Sequence, residues 1–268
     1  MTPAELQACL DHAVEAARRA GAVLLDWRQR FAVREKGRFD LVTDADVASQ
    51  EAIKSYLQTH FPDFGFLGEE DPTWSSLAEG RPTWIVDPLD GTTNYVHDCP
   101  VYAVSIGLMQ GDAALVGVIF DPTRSELFQA AAGGGAWLNG QRMHVSSAAS
   151  LEEALLSTGF PPDLRGQEQS LKTWRYLSLR TQSLRRTGST SLNLVYVAAG
   201  RHDGFWAGQA FAWDVAAGLV LIREAGGIVS KLDGTAYDPR VAQVLATNAP
   251  LHPVMVRELQ IASKAGVR

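Results

Sequence analysis

The sequence predicts a mixed fold, α/β or α+β, built on large sheets. Three observations point there. Short β-rich runs separated by turn residues crowd the stretch from about 83 to 130. Long helical periods precede that stretch, and helices alternate with strands after it. No linker rich in Pro, Gly or Ser divides the chain.

The elements follow in order. From residue 3 to 29, Leu6, Leu10, Val14, Ala17, Gly21 and Leu24 recur at three- and four-residue spacings, with Arg18, Arg19 and Arg28 among the other positions. One apolar stripe on a 3.6-residue period predicts a long amphipathic helix. "DLVTDADVASQEAIKSYLQTHFP" reads as a turn and a second helix closed by Pro62, because proline cannot continue a helix. "FGFLGEE" reads as a short strand entering an acidic loop. "TWIVD", "VYAVSIGLMQ", "AALVGVIFD" and "SELFQAA" read as strands broken at Gly-Asp and Asp-Pro turns. "AAGGGAWLNG" lacks the Gly-Lys-Ser/Thr that completes a P-loop and reads as a hairpin turn. After "LEEALLSTGF" come helices near 166–179 and 189–199 and a strand at "HDGFW". The helix "AWDVAAGLVLIREAGG", ended by Gly226 and Gly227, a strand pair and a helix near 251–265 complete the chain.

Composition narrows the function. The chain has 268 residues, 46% hydrophobic and 20% charged, enough for one large domain or two closely joined ones. A net charge of −6 disfavours nucleic acid as a partner, since phosphate backbones attract basic surfaces. No apolar run approaches the roughly 18 residues a membrane span needs, and the N-terminus lacks the apolar core of a signal peptide. Cys9 and Cys99 are far apart and suggest neither a disulfide framework nor a zinc site. The expectation is a soluble cytoplasmic protein.

The chemistry gathers in "WIVDPLDGTTNYVH". Asp87 ends an apolar strand, and Asp90 follows after only Pro88 and Leu89. Two such close carboxylates repel unless something positive lies between them. Oxygen-rich sites of this kind suit a hard cation such as Mg²⁺. The bland alternative is that both aspartates cap the helix that follows. Gly91, Thr92 and Thr93 begin that helix, and a helix start attracts anions through its unpaired N–H groups. A dication beside an anion site is what phosphate-ester chemistry needs. Three further acidic segments are candidates for the same place: "DLVTDAD" with Asp40, Asp44 and Asp46, "LGEED" with Glu69, Glu70 and Asp71, and "FAWDVAAG" with Asp214.

These segments, in this order and spacing, closely resemble the inositol monophosphatase family, from about residue 36 to about 240. The resemblance implies an α+β fold, a layered α/β/α/β/α sandwich of the type shared with fructose-1,6-bisphosphatase. It treats residues 1–268 as one catalytic unit, with a metal- and phosphate-rich half to about 150 and a substrate-side half from about 151 to 268. It implies a Mg²⁺-dependent, lithium-sensitive phosphomonoesterase acting on a small phosphorylated substrate, with two or three Mg²⁺ per site and a homodimer as its assembly. Carried over, it gives one Mg²⁺ to Glu69, Asp87 and the Leu89 carbonyl, and a second to Asp87, Asp90 and Asp214. Gly91, Thr92 and Thr93 would meet the phosphate. Thr92 with Asp46 would deprotonate the attacking water, Glu69 assisting, and Lys36 matches a nearby family lysine. Ser189 and Thr190 would lie on the substrate side, unless they simply cap the helix they begin.

One position departs from the family. A glutamate that grips the polyol hydroxyls usually stands seven residues before the W-D aspartate; here it is Ala207, with Gln209 nearby. That opens the substrate to a sugar phosphate such as fructose 1,6-bisphosphate, to histidinol phosphate or to a 3′-phosphonucleotide. A regulatory binding protein on the same fold is the reading from a different class. Trp206 reads as core rather than a substrate wall. His97 is the one histidine close to the acidic loop. Arg185 and Arg186 read as a solvated or interface pair, with contact to an anionic substrate as the alternative.

Overall fold

The computed structural model describes residues 1–71 and 80–264. Its helices and sheets stack in five layers, α/β/α/β/α. The first layer holds α1 (Pro3–Trp27) and α2 (Asp44–His60). The second is a seven-stranded sheet in order β3 (Gly65–Gly68), β4 (Thr83–Asp90), β5 (Ala103–Gln110), β6 (Ala113–Asp121), β7 (Glu126–Ala131), β8 (Ala136–Leu138) and β9 (Gln141–Arg142). Only β3 runs parallel to its neighbour. A short helix, α3 (Thr92–Val96), leaves the end of β4. The central layer is α5 (Thr190–Ala198) and α6 (Ala212–Glu224). A five-stranded sheet follows, in order β11 (Ser183–Arg185), β10 (Leu155–Gly159), β12 (Gly204–Ala207), β14 (Val244–Thr247) and β13 (Ile228–Ser230), and α4 (Glu168–Ser178) and α7 (His252–Lys264) cover its far face. No helix among the described residues is long and apolar enough to cross a membrane.

Alternation along the strands explains the stacking. Trp84 and Val86 of β4 and Val104, Ile106 and Leu108 of β5 face α1 and α2. Ile85 and Met109 face the other way, into one continuous core with α5, α6 and the inner residues Phe205 and Ala207 of β12. Trp206, between those two, points outward and packs with Leu177, Met255 and Leu259. A period of two on a sheet buried on both faces requires this division.

Strand β4 breaks the alternation once. Asp87 pairs with Ser105, but Asp90 pairs with Ala103, so three steps on one strand match two on the other. This one-residue bulge resets the parity. Without it, carboxylates three residues apart would face opposite sides of the sheet. With it, Leu89 joins Trp84 and Val86 on the α1/α2 side, and Asp87 and Asp90 face the central layer together. Pro88, which has no N–H, is tolerated in a central strand at a bulge.

The central helix lies unusually close to that face. A Cβ added at Gly107 would come within 2.7 Å of the Ala216 Cβ, and one at Gly117 would collide with the Ala217 carbonyl. At Gly218 it would meet the Leu194 side chain of α5 at 2.7 Å. The small residues of "DVAAG" therefore fit between the sheet on one side and a neighbouring helix on the other.

The structure adds elements the periodicity did not show. β1 (Val33–Gly37) and β2 (Asp40–Thr43) form an antiparallel hairpin where a turn was expected. β1 is solvent-exposed along its whole length, so it carries no apolar alternation to read. The glycine-rich segment is the expected hairpin turn between β7 and β8, and the N–H groups of Gly133 and Gly135 each donate to the Glu224 carboxylate at 2.8 Å. The last helix begins at His252; residue 265, its expected end, lies outside the described residues.

Candidate active site

The bulge and the close helix bring three carboxylates together. One oxygen from each of Asp87, Asp90 and Asp214 lies within 4.8 Å of the others. Asp214 is the third residue of α6 and caps it, accepting the Phe211 N–H at 2.7 Å. Asp87 and Asp90 are buried. Burial pushes the Asp87 carboxyl well above its ordinary range, reinforced by Glu69, Asp90 and Asp214. Asp214 is raised in the same way, first by burial and then by Asp90 and Glu69. Among the described residues no basic side chain pairs with these three. An all-oxygen, cation-deficient cluster of this kind fits a hard divalent ion and is costly without one.

Asp90 does cap a helix, though not the one that follows it in sequence. The N-cap of α3 is Gly91, with no side-chain cap bond. Asp90 instead receives the Ser189 hydroxyl at 2.5 Å and the Thr190 and Ser191 N–H groups at 3.1 and 2.6 Å. These donors belong to the start of α5, about a hundred residues away. Ser189 is buried and also accepts the Leu192 N–H as the N-cap of α5. Its hydroxyl is thus occupied by Asp90, while Thr190 remains partly exposed.

The expected phosphate-binding residues lie in the turn after β4. Gly91 takes φ +98, a left-handed conformation that favours glycine, and a Cβ there would also meet the Val101 carbonyl at 2.9 Å. The first N–H groups of a helix have no partner inside it, so Gly91, Thr92 and Thr93 leave donors beside the cluster. Thr92 Oγ1 lies 3.0 Å from Asp46 Oδ1 and 3.1 Å from the Leu89 carbonyl; one hydroxyl proton serves one of them at a time. Asp46 Oδ2 accepts the Thr43 N–H at 2.8 Å and its hydroxyl at 2.6 Å, which closes the N-terminus of α2. Burial raises the Asp46 pKa to about 6, against the lowering effect of these hydrogen bonds.

Four of the other acidic candidates, Asp44, Glu69, Glu70 and Asp71, pair with basic side chains. Asp44 pairs with Arg34 at 2.9 Å and Asp71 with Lys54 at 3.3 Å. Lys36, on the β1–β2 hairpin, spans Glu69 at 3.0 Å and Glu70 at 2.6 Å. Glu69 therefore stands beside the three-carboxylate cluster but outside it. Ala207 is fully buried at the end of β12, against Gly159, and Gln209 is exposed; neither lines the cavity next to the Gly91–Thr93 turn. Trp206 lies in the outer core, and His97 is exposed at the end of α3.

Sequence reading missed the struts of the site. Asn94 Nδ2 donates to the Val101 carbonyl at 2.7 Å and to Thr187 at 2.9 Å, tying the turn to the segment before α5. Ser49 donates to the Pro88 carbonyl at 2.8 Å and supports the bulge from α2. Asn94 carried a signal, since it sits inside the "DGTTN" run, but its partner at 187 did not.

An acidic, cation-hungry centre beside a free helix start belongs to hydrolases of phosphate monoesters, and that is the class this fold and site define. Residues 5–264 match the inositol monophosphatase family, and the chain belongs to it. It is 41% identical over 261 residues to an inositol-1-monophosphatase of Synechocystis sp., spanning 96% of this chain and 91% of that one. It is 38% identical over 262 residues to the Nus factor SuhB of Pseudomonas aeruginosa, spanning 95% and 97%. The crystal structure of the extragenic suppressor protein suhB from Bartonella henselae matches with a TM-score of 0.89 at 38% identity, covering 94% of this chain and 98% of that one. As a family member the chain is a phosphatase, and its fold is the five-layered sandwich of these relatives.

Proposed function

We propose that the protein is a Mg²⁺-dependent phosphomonoesterase that hydrolyses a small polyol or sugar phosphate of the inositol 1-phosphate type. The observation that carries this reading is the cluster of Asp87, Asp90 and Asp214 beside the Gly91–Thr93 turn. Asp87, Asp90 and Asp214 would hold Mg²⁺, with Glu69 and the Leu89 carbonyl completing the ligands. Bound there, Mg²⁺ supplies an acidified water and neutralises charge that develops on oxygen.

The chain's own groups do the rest. The N–H groups of residues 91–93 and the Thr93 hydroxyl hold the phosphoryl oxygens. Thr92 takes a proton from the attacking water as its own passes to Asp46. The water oxygen bonds to phosphorus, the ester P–O bond breaks on the opposite side, the departing alkoxide takes a proton from a solvent water, and Asp46 returns its proton to solvent. A homodimer, a cytoplasmic location and sensitivity to lithium belong to the same reading.

Phosphate release from myo-inositol 1-phosphate with Mg²⁺ and after chelation tests it. Turnover should vanish on chelation and in Asp87→Asn, whose circular dichroism should match the parent. Turnover that survives either change would defeat the cation assignment. Ala207 favours a second reading in which the same chemistry serves a different alcohol, such as a sugar bisphosphate, histidinol phosphate or a 3′-phosphonucleotide. Matched assays across these compounds separate the two. The regulatory alternative draws on the name of the Pseudomonas aeruginosa relative; the complete Thr92–Asp46 pair and carboxylate cluster favour catalysis.

A further inference from the structure

A cavity of about 350 Å³ opens beside the phosphate turn. Thr93, Asn94 and Thr190 form one side, and Phe39, Phe160 and Arg186 form the other. Arg186 is the only charged residue lining it among those described, and no carboxylate lines it. Asp90, beneath this wall, accepts hydrogen bonds from Ser189, Thr190 and Ser191.

Arg186 is exposed and makes no ion pair with any described residue; its guanidinium sits over the Phe160 ring, 5.3 Å from the centroid. Its neighbours behave differently. Arg185 turns back onto the Leu184 carbonyl at 3.0 Å. Arg165 is bound to Asp163, with Nε 2.8 Å from Oδ2, and Arg38 approaches the same carboxylate at 3.9 Å. An arginine with a planar fork and no counter-charge, facing a cavity of otherwise neutral groups, is suited to an oxyanion. Phe39 completes the wall from the tip of the β1–β2 hairpin, where it holds φ +62. A bulky residue pays for a left-handed backbone, and such positions concentrate at ligand sites.

We infer that Arg186 reads a second anionic group on the substrate, so the preferred ester has an alcohol half that itself carries an oxyanion. This rests on the reading of the site as a phosphomonoesterase. Arg186 is a specificity-determining residue in this assignment; the reacting phosphate stays with the Gly91–Thr93 turn.

Fructose 1-phosphate and fructose 1,6-bisphosphate, which differ by one phosphate, are the test pair. The parent protein should favour the bisphosphate in kcat/KM by about tenfold, the scale of one charge-assisted hydrogen bond. Arg186→Gln should remove the preference through KM and leave the monophosphate within about twofold. Arg186→Lys should recover part of it. A parent without preference, or a variant that lowers both substrates equally, would overturn the inference. Absence of Mg²⁺-dependent release from both substrates and from inositol 1-phosphate would instead overturn the functional reading beneath it. The side chain is exposed, and an unchanged thermal midpoint would show that Arg186→Gln folds.

Discussion

Asp46 joins two tasks that pull on the same carboxylate. One oxygen closes the start of α2 through Thr43, and the other faces Thr92. Burial lifts its pKa to about 6, so the proton-accepting form grows as pH rises through 6. Phosphate release should therefore fall as pH drops below about 6, and Asp46→Asn should abolish that acidic limb along with most of the rate. General-base groups typically contribute 10²–10⁴-fold, and Thr92→Val should lose a comparable factor because, in the proposed reaction, it removes the hydroxyl that links the attacking water to Asp46. A pH–rate profile of the three proteins checks this, and an unshifted limb in Asp46→Asn would assign it to another group. The same residue shows why a bland explanation and a functional one need not compete. Asp46 is a helix-capping residue and also the hydrogen-bond partner of Thr92.

At the scale of elements, the placement of Asp214 depends on how near α6 lies to the sheet. Gly107 and Gly117 leave no room for even a methyl group beneath Ala216 and Ala217. Gly117→Val should force the helix outward, cost about 1–3 kcal/mol as overpacking does, and lower turnover by more than the stability loss explains. Urea unfolding and phosphate release on the same preparation measure both; a destabilised variant with full turnover would separate the helix position from the site. Much of this was legible in the chain. The Asp87–Asp90 pair, the helix at "WDVAAG" and the strands of the large sheet follow from local pattern, because each is specified within a dozen residues. The exposed hairpin around Lys36 was not, since a strand with no buried face leaves no alternation. The diversion of Glu69 to Lys36, the use of Ser189 by Asp90 and the Asn94–Thr187 strut depend on residues 33, 99 and 93 positions apart. No local window contains such pairs.

For the whole molecule, the central layer is shared property. Its core includes residues of both sheets, and the acidic cluster takes two members from β4 and one from α6. Separating the halves would dissolve the core and the site together. Calorimetry should accordingly show one unfolding transition for residues 1–268, moved upward by Mg²⁺ as mass action on a native-state site demands. Two transitions, with only one responding to the ion, would mean that the halves fold separately. The alternation of β4 reaches into the gene. Strand β4 can accept many changes of letter, but its length is a parity setting. Loss of the single codon for Val86 would keep every acidic group in the gene and put Asp87 and Asp90 in phase with Trp84, on the far side of the sheet. The reading frame would survive while the site came apart, so this stretch should tolerate spelling errors far better than a change in count.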